Sequence, residues 1–361
     1  MGRPKGGRGF LITGGAGFIG SNLAVYLKER EASCPVIAFD NLRRRGSVLN
    51  LPRLKKAGVK FVRGDIRSVR DLAKTGPFSV MIECSAEPSV LSGVVTDTPW
   101  SVIDNNLVGT VRCLDHAAKH QADVIFLSTS RVYPIEPLEA LSYRRTRTRF
   151  EWTDRQKVRG ASHRGIAEDF PLEGYRSFYG ASKLCSEFLI SEYRKYFGVR
   201  SVINRCGVVA GPWQMGKIDQ GVAALWVARH FWKRRLDYIG YGGMGKQVRD
   251  LLHVKDLCEL IHLELKQMKT LNGQTFNVGG GARVSASLLE LTELCRRITG
   301  NRMRIGSVRR VRPADLRIYV SDCAKLKAHT GWEPKRGVEE IIGDIHDWIR
   351  LNSRILEPVL G

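Results

Sequence analysis

The sequence predicts an α/β fold in which a doubly wound parallel sheet is followed by a smaller C-terminal lobe. Short apolar runs alternate with amphipathic stretches through the first half, a glycine-rich turn links the first run to a helix start, and polar residues follow several runs. Strands that alternate with helices form parallel sheets covered on both faces. We therefore expect a Rossmann-type sheet that binds its ligands at the carboxyl ends of the strands.

Six apolar runs are predicted to be strands of this sheet, and the stretch from Leu107 to Lys119 has the apolar spacing of a helix. The runs are Phe10 to Ile12, Val36 to Phe39, Lys60 to Val62, Val80 to Ile82, Val124 to Leu127 and Ser201 to Ile203. Because parallel strands end at one edge, the residues that follow them should meet there. These residues are Gly14 to Gly20, Asp40, Asp65, Ser85 to Glu87 and Ser128 to Ser130.

The first loop, with the sequence TGGAGFIG, predicts a dinucleotide site. Its glycines allow a sharp turn, a close approach of the backbone to a pyrophosphate and tight packing of the helix on the strand. Asp40 lies about twenty residues beyond Gly20, where a carboxylate accepts hydrogen bonds from the ribose hydroxyls of NAD. Asp40 would repel the 2′-phosphate of NADP. Arg43, Arg44 and Arg45 could attract that phosphate, but we interpret them as a solvated loop and favour NAD.

The alternation becomes irregular after about residue 205, where glycine-rich pieces mix with helical stretches. We predict an NAD-binding domain at residues 1–204. Residues 205–361 are predicted to form mainly a substrate-binding lobe, with some segments that return to the sheet. A long, polar and charged insertion occupies about residues 135–176. Loops of that length in compact domains are usually functional or mobile, so the insertion is a candidate to border the substrate site.

Composition narrows the class of protein. The chain has 361 residues, 58 of them basic and 36 acidic, which gives a formal net charge of +22. We do not expect nucleic-acid binding despite this charge, because no motif that reads nucleic acid accompanies the arginine clusters. The eight cysteines form no C-x-x-C pair, so reduced thiols and no metal site are expected. The N-terminus shows no secretory signal and no run reaches membrane-spanning length, so we predict a cytoplasmic protein with no membrane partner.

The sequence YGASK places Tyr179 and Lys183 four residues apart, and on a helix these positions share one face. A free phenol has a pKa of about 10, and a neighbouring ammonium lowers that pKa toward the range of a useful base. A hydroxyl from Ser128, Thr129 or Ser130 could share the hydrogen bond of a substrate alcohol, or could merely cap the chain's exit from the strand. In an arbitrary protein the Tyr/Lys pair is most often a surface pair. After a dinucleotide turn, the three parts fit hydride transfer between a secondary alcohol and NAD.

At this point the chain resembles the extended short-chain dehydrogenase/reductase family, which includes the nucleotide-sugar epimerases and dehydratases. The resemblance covers nearly the whole chain and rests on an ordered set of motifs: TGGAGFIG, FDNL, GDIR, NNLVGT, STSRVY, YGASK, RCGVVAGP, GKQVRDLLHVKDL, FNVGG, RPADLR and GWEPK. It implies an NAD-dependent epimerase of a nucleoside-diphosphate sugar that inverts a carbinol centre through a transient keto-sugar and regenerates NAD. It also implies a homo-oligomer, a dimer or tetramer, that pairs through the helices around Leu107 to Lys119 and Tyr179 to Phe197. Their apolar stripes could equally be internal core.

By position, the resemblance implies site residues in three groups. The catalytic group is Thr129, Tyr179 and Lys183. The cofactor-binding group is Gly14, Gly17, Phe18, Ile19, Gly20, Asp40, Asn41, Asp65, Ile66, Ser85, Ala86, Asn106, Tyr179 and Lys183. The substrate-binding group is Glu87, Ser130, Arg205, Gln220, Arg249 and Arg312. Arg249 and Arg312 match arginines that hold the diphosphate, and the alternative for Arg249 is a salt bridge with Asp250.

Departures from the family pattern concern the substrate more than the reaction class. Ser130 and Arg131 follow Thr129, where the related 4,6-dehydratases resemble one another in carrying Asp-Glu. Without that acid and base, water elimination lacks its proton carriers, so a dehydratase is disfavoured. Glu87 stands where the epimerase pattern has an amide, and it binds sugar hydroxyls or pairs with a basic neighbour. The alternatives are another enzyme of the family (a decarboxylase, dehydratase or reductase) and, less favoured, a non-catalytic NAD-sensing or nucleic-acid-associated protein.

Overall fold

The main sheet has seven strands, all parallel. The computed structural model describes residues 9–216 and 220–361. In chain order, the strands of these residues are β1 (Phe10–Thr13), β2 (Val36–Asp40), β3 (Lys60–Arg63), β4 (Val80–Glu83), β5 (Asp123–Thr129), β6 (Tyr143–Arg145), β7 (Phe150–Trp152), β8 (Ala161–Ser162), β9 (Gly165–Ile166), β10 (Ser201–Cys206), β11 (Val208–Ala210), β12 (Leu236–Ile239), β13 (Val248–His253), β14 (Gln274–Val278), β15 (Ser285–Ser287), β16 (Ile305–Val308) and β17 (Ile318–Tyr319). The main sheet has the order β14-β10-β5-β4-β1-β2-β3. This confirms the predicted Rossmann-type sheet, and each of the six predicted runs lies in one of its strands.

Helices cover both faces of this sheet. The helices are α1 (Phe18–Arg30), α2 (Leu51–Lys56), α3 (Val69–Leu72), α4 (Pro99–Ile103), α5 (Gly109–Lys119), α6 (Ile135–Glu139), α7 (Phe178–Phe197), α8 (Val222–Phe231), α9 (Val254–Gln267), α10 (Leu288–Thr299), α11 (Ala324–Thr330), α12 (Val338–Leu351) and α13 (Ser353–Leu360). Alternate residues of β1 show the two faces. Phe10 and Ile12 belong to one core cluster with Leu23 of α1, whereas Leu11 belongs to another with Leu114 of α5. Burial on both faces explains why the strands are continuously apolar.

The strand order reverses between β1 and β4. From β1 the sheet continues to β2 and β3 on one side, and β4, β5, β10 and β14 extend it on the other. In open α/β sheets the ligand crevice forms at this reversal, outside the carboxyl ends of the strands. The ligand crevice is therefore expected at the loops that follow β1, β4 and β5.

The C-terminal half builds smaller sheets. β13 pairs with β11, β15 and β17, and β12 pairs with β16. Helices α8, α10 and α12 pack together beside them, around a core that contains Trp226, Leu291 and Ile345. β10 runs across the predicted domain boundary after residue 204, and β14 pairs with it in the main sheet. The division into two domains therefore stays a prediction.

The insertion at residues 135–176 is folded rather than a long loop. It contains α6 and two antiparallel hairpins, β6 with β7 and β8 with β9. Phe150, Trp152, Ile166 and Phe170 are buried in a cluster that also contains Tyr319 of β17. These apolar side chains attach the segment to the C-terminal sheet, despite the many charged residues between them.

The described ranges contain neither a membrane-spanning helix nor a cluster of metal ligands. In residues 9–216 and 220–361, no helix combines the length and the apolar character that a bilayer crossing requires. The same ranges hold no group of three or more His, Cys, Asp or Glu side chains placed for a metal ion. Residues 1–8, on which the expectation of no secretory signal partly depends, and residues 217–219 lie outside the described ranges.

Candidate active site

A cleft of about 670 Å³ opens at the carboxyl edge of the main sheet. The predicted site residues that line it are Gly14, Gly17, Phe18, Ile19, Gly20, Asp40, Asn41, Ile66, Ser85, Ala86, Glu87, Thr129, Ser130, Tyr179, Lys183 and Gln220. Asp65, Asn106, Arg205, Arg249 and Arg312 are not among the described lining residues. Neither is any residue of the insertion at 135–176, which corrects the expectation that this segment borders the site.

The glycine turn after β1 leaves no room for side chains. Gly14 has φ +61°, and a Cβ there would lie 2.9 Å from the carbonyl oxygen of Cys84. A Cβ at Gly20 would collide with the carbonyl oxygen of Gly14. The backbone of the turn is therefore bare where it faces the cleft and the start of α1. This arrangement lets a pyrophosphate approach the N–H groups at the N-terminus of a helix.

Asp40, at the end of β2, joins this turn to the next loop. Its carboxylate accepts hydrogen bonds from the backbone N–H groups of Ala16 at 3.1 Å and Leu42 at 2.7 Å. Burial raises the pKa of Asp40 above its usual value, and the hydrogen bonds from Leu42, Ala16 and Gly17 act in the opposite direction. The carboxylate lines the cleft beside the glycine turn, which is where a ribose would be held.

Asp65 and Asn106 support lining residues instead of lining the cleft themselves. Asp65 binds Arg67 through both carboxylate oxygens, at 2.9 and 2.7 Å, and accepts a hydrogen bond from Asn41 at 3.0 Å. These partners hold the pKa of Asp65 well below its usual range. Asn106 accepts a hydrogen bond from the N–H of Glu87 at 2.7 Å and donates one to the Glu87 carbonyl at 3.0 Å. The two residues thus fix Asn41 and Glu87.

The structure brings Thr129, Tyr179 and Lys183 together. Thr129 ends β5, and its side chain is hydrogen-bonded to the Tyr179 phenol. Tyr179 and Lys183 lie one turn apart at the start of α7, whose N-cap Ser177 accepts a hydrogen bond from the Gly180 N–H at 3.2 Å. The cap fixes the first turn of the helix and hence the direction in which the phenol points.

The pKa of Tyr179 is raised in this structure, although Lys183 acts on it in the expected direction. Burial in the cleft raises this pKa, whereas the charge of Lys183 and the hydrogen bond with Thr129 lower it by less. Desolvation therefore disfavours the phenolate more than the ammonium favours it. An oxidised nicotinamide ring beside the phenol would add a further positive charge and favour the phenolate.

Glu87 and Gln220 meet across the part of the cleft that lies beyond Thr129. Nε2 of Gln220 donates to Oε1 of Glu87 at 3.3 Å. The contact joins the loop after β4 to the segment before α8. It provides carboxylate and amide groups that can bind hydroxyls, and among the described residues the Glu87 carboxylate is bound by the N–H of Ser89 and by Gln220 rather than by a basic side chain.

Arg205 is wrongly predicted as a substrate residue. It lies in β10, is 6% exposed, and binds both carboxylate oxygens of Glu187 on α7, at 2.7 Å for the closest pair. It also donates to the phenol oxygen of Tyr133 at 3.1 Å. The side chain of Arg205 faces α7, which covers the sheet, and its guanidinium is engaged by Glu187 in a buried ion pair.

Arg249 forms a salt bridge, but its partner is not Asp250, the alternative considered from the sequence. It donates to Oδ1 of Asp315 at 2.8 Å, and not to Asp250. Asp250 is buried and accepts hydrogen bonds from the backbone N–H groups of Ser321 and Gly281, and burial raises its pKa to about 6. Neither Arg249 nor Arg312 lies among the described lining residues, so their contact with a diphosphate stays a prediction.

Two charged residues at strand ends are not among the predicted site residues. Arg131 lines the cleft and donates to the carbonyl oxygen of Ala314 at 3.0 Å. Burial, with the nearby charge of Arg249, lowers its pKa to about 10. Glu83 ends β4 and binds Lys183. A carboxylate that ends an otherwise apolar run is a signal that could have identified Glu83.

Comparison with known proteins agrees with this geometry. Residues 10–279 match the NAD dependent epimerase/dehydratase family. The chain is 31% identical over 349 residues to a CDP-paratose 2-epimerase from Salmonella typhi, covering 94% of this chain and 98% of that protein. It is 28% identical over 363 residues to a dTDP-glucose 4,6-dehydratase from Xanthomonas campestris pv. campestris (strain B100), covering 97% and 95%.

Among solved structures, the UDP-glucose 4-epimerase of Thermus thermophilus in complex with NAD superposes with a TM-score of 0.74. It is 27% identical and covers 95% of this chain and 99% of its own. In the present chain, the bare turn at Gly14 and the carboxylate of Asp40 fit the pyrophosphate and ribose of NAD. The chain belongs to the NAD dependent epimerase/dehydratase family of extended short-chain dehydrogenases/reductases, and its cofactor is NAD.

Proposed function

We propose that this chain is an NAD-dependent epimerase of a nucleoside-diphosphate sugar, similar to CDP-paratose 2-epimerase. It inverts a carbinol centre of the sugar through a transient keto-sugar. The observation that carries the proposal is the meeting of Thr129, Tyr179 and Lys183 in a cleft that begins at the glycine turn. Bound NAD supplies the hydride acceptor for the oxidation and, once reduced, the hydride donor for the return step.

The protein's own part of this chemistry is to move one proton. Oη of Tyr179 takes the proton of the sugar hydroxyl as the carbinol is oxidised and gives it back when the keto-sugar is reduced. The Thr129 side chain holds the phenol by their hydrogen bond. The Lys183 ammonium favours the phenolate that forms. Inversion requires the keto-sugar to turn its other face toward the coenzyme before the hydride returns.

One charged cluster beside the cleft and one polar pair within it support a nucleotide sugar as the substrate. Arg131 and Arg249 act on each other as like charges, and Asp315 is the carboxylate bound to Arg249. Two guanidinium groups that share one carboxylate leave a net positive charge, which suits a diphosphate. Glu87 and Gln220 lie where they can bind the hydroxyls of the sugar.

The residues after Thr129 favour epimerisation over dehydration. Ser130 and Arg131 supply neither a carboxylic acid nor a carboxylate beside the phenol. The carboxylates among the described lining residues are Asp40, Glu87 and Asp97. Asp40 is bound by the glycine turn, Asp97 accepts a hydrogen bond from Ser92, and Glu87 accepts one from Gln220. Removal of water from a keto-sugar needs an acid and a base at the reacting carbons, and the residues directly after Thr129 do not supply that pair.

The test is to incubate purified protein with a panel of CDP-, dTDP-, GDP- and UDP-sugars and to follow each by proton NMR and mass spectrometry. We expect one sugar to change configuration without a change in mass. Tyr179→Phe should abolish turnover, by about 10³-fold or more, and still bind NAD. Tyr175→Phe is the matched control, since Tyr175 is exposed and does not line the cleft.

Other outcomes of the same panel would contradict the proposal. A product that has lost water or carbon dioxide indicates a dehydratase or a decarboxylase. Stoichiometric consumption of NADH indicates a reductase. Full turnover by the Tyr179→Phe variant would remove the phenol from the mechanism.

A further inference from the structure

Lys183 is paired with a buried carboxylate that the proposed proton transfer does not use. Nζ of Lys183 lies 3.3 Å from Oε2 of Glu83, and the two side chains are 2% and 1% exposed. The other oxygen, Oε1, accepts hydrogen bonds from the N–H of Ser85 at 3.0 Å and from the hydroxyl of Thr13 at 3.4 Å. Both oxygens of Glu83 are therefore bound.

The sheet register fixes this carboxylate in place. Glu83 is the last residue of β4 and lies opposite Thr13 of β1 and Phe126 of β5. Register partners in a parallel sheet point to the same face, and here that face is covered by α7. The Lys183 ammonium also lies 4.3 Å from the centre of the Phe126 ring. Lys183 thus enters a closed site made by three neighbouring strands.

We infer that Glu83 is a positioning residue, whose carboxylate holds the Lys183 ammonium where it can act on Tyr179. Burial raises the pKa of Glu83, and the charge of Lys183 with the hydrogen bonds from Lys183, Ser85 and Thr13 acts in the opposite direction. These contacts bind both carboxylate oxygens, which fixes the carboxylate beside the ammonium. The inference rests on the proposed role of Tyr179 and names a residue on which that role depends.

Among the described residues, the other acidic groups whose pKa the charge of Lys183 lowers are less suited to this part near neutral pH. Besides Tyr179, these groups are three thiols, Cys84 after β4, Cys113 of α5 and Cys206 of β10. Burial raises the pKa of each thiol, to about 12 for Cys206, so the thiols are neutral. Arg131 acts on Tyr179 as a second cation.

The test uses the NAD-loaded protein without any sugar, so it does not depend on the substrate. The pH at which Tyr179 ionises is measured from tyrosinate absorbance, as the difference between each variant and the same variant with Tyr179→Phe. Glu83→Gln keeps the shape of the side chain and removes its charge. We expect the phenolate to form about one pH unit higher than in the wild type, a roughly ten-fold lower phenolate fraction at a given pH, because the Lys183 ammonium is then no longer held beside the phenol.

Lys183→Met provides the second arm. It should raise the pH of phenolate formation by a similar amount, and Glu83→Gln added to it should cause no further change. Identical titrations of wild type and Glu83→Gln, or phenolate formation at lower pH in Glu83→Gln, would overturn the inference. If Glu83→Gln fails to fold, the comparison of Lys183→Met with the double variant decides: equal titrations support the inference and unequal ones refute it. A failure here leaves the epimerase proposal standing, and failure to turn over any sugar leaves this titration unaffected.

Discussion

Glu264 of α9 links the stability of this protein to pH. It is fully buried and its Oε2 accepts a hydrogen bond from Nδ2 of Asn204 in β10 at 2.8 Å. Its Oε1 and the Oδ1 of Asn204 have no hydrogen-bond partner among the described residues. Burial raises the pKa of Glu264 from 4.5 to about 8, and the bond from Asn204 opposes this only in part. The folded protein therefore holds this proton at neutral pH.

The direction of the effect follows from the two pKa values. The unfolded chain releases the proton near pH 4.5 and the folded chain near pH 8. The contribution of this group to stability is fully present below pH 4.5 and is lost as the pH rises toward 8. The slope reaches at most about 1.4 kcal/mol per pH unit, and because titration is incomplete at both ends of the range, the loss between pH 5 and pH 8 is roughly 3 to 4 kcal/mol.

Glu264→Gln should abolish this loss, because an amide of the same shape does not ionise in that range. The free energy of unfolding, measured by urea titration from pH 5 to pH 8, should fall by roughly 3 to 4 kcal/mol more in the wild type than in the variant. Glu29→Gln on the exposed side of α1 is the control and should follow the wild type. Parallel curves for wild type and Glu264→Gln would refute the reasoning.

Two further predictions concern α7. Arg205→Met should lower the free energy of unfolding by about 3–5 kcal/mol, because it leaves the buried carboxylate of Glu187 unpaired, and adding Glu187→Gln should recover much of the loss. Urea titration measures both, and a variant with normal stability that is defective only in sugar binding would contradict this structural role. We also predict a homo-oligomer that pairs through α7, where Phe188 is 60% exposed, and the neighbouring helix α4 carries Trp100, which is 65% exposed. Light scattering should give a multiple of the chain mass for the wild type and a monomer for Phe188→Glu; a wild-type monomer would disprove the pairing.

Much of the fold could be predicted from the sequence because its signals are local. Each main-sheet strand of the first half is a short apolar run, and the turn after β1 needs glycines within a few residues of one another. The spacing of Tyr179 and Lys183 places both on one face of a helix whatever else the chain does. Such patterns involve residues that are close together in the chain, so they can be recognised in a single sequence.

The partners of charged side chains could not be predicted in the same way. Arg205 and Glu83 end strands at the edge where ligands bind, but their side chains face α7 and are taken up by Glu187 and Lys183. The face of the sheet on which a side chain near a strand end lies depends on the register of the strand. The charged partner that it meets on that face belongs to another element of the fold. Phe150 and Trp152 illustrate the same limit for packing, because charged neighbours conceal the apolar face of their hairpin.

Helix α7 carries Tyr179, Lys183 and Glu187 at intervals of four residues, and the last two are tied to different strands by buried ion pairs. Sliding or rotating this helix would separate two pairs of opposite charges in a medium that cannot solvate them. Tyr179, the proposed base, is thereby immobilised against the sheet. Any widening that admits a bulky sugar must come from the opposite wall, where Gln220 and its neighbours belong to the other half of the chain.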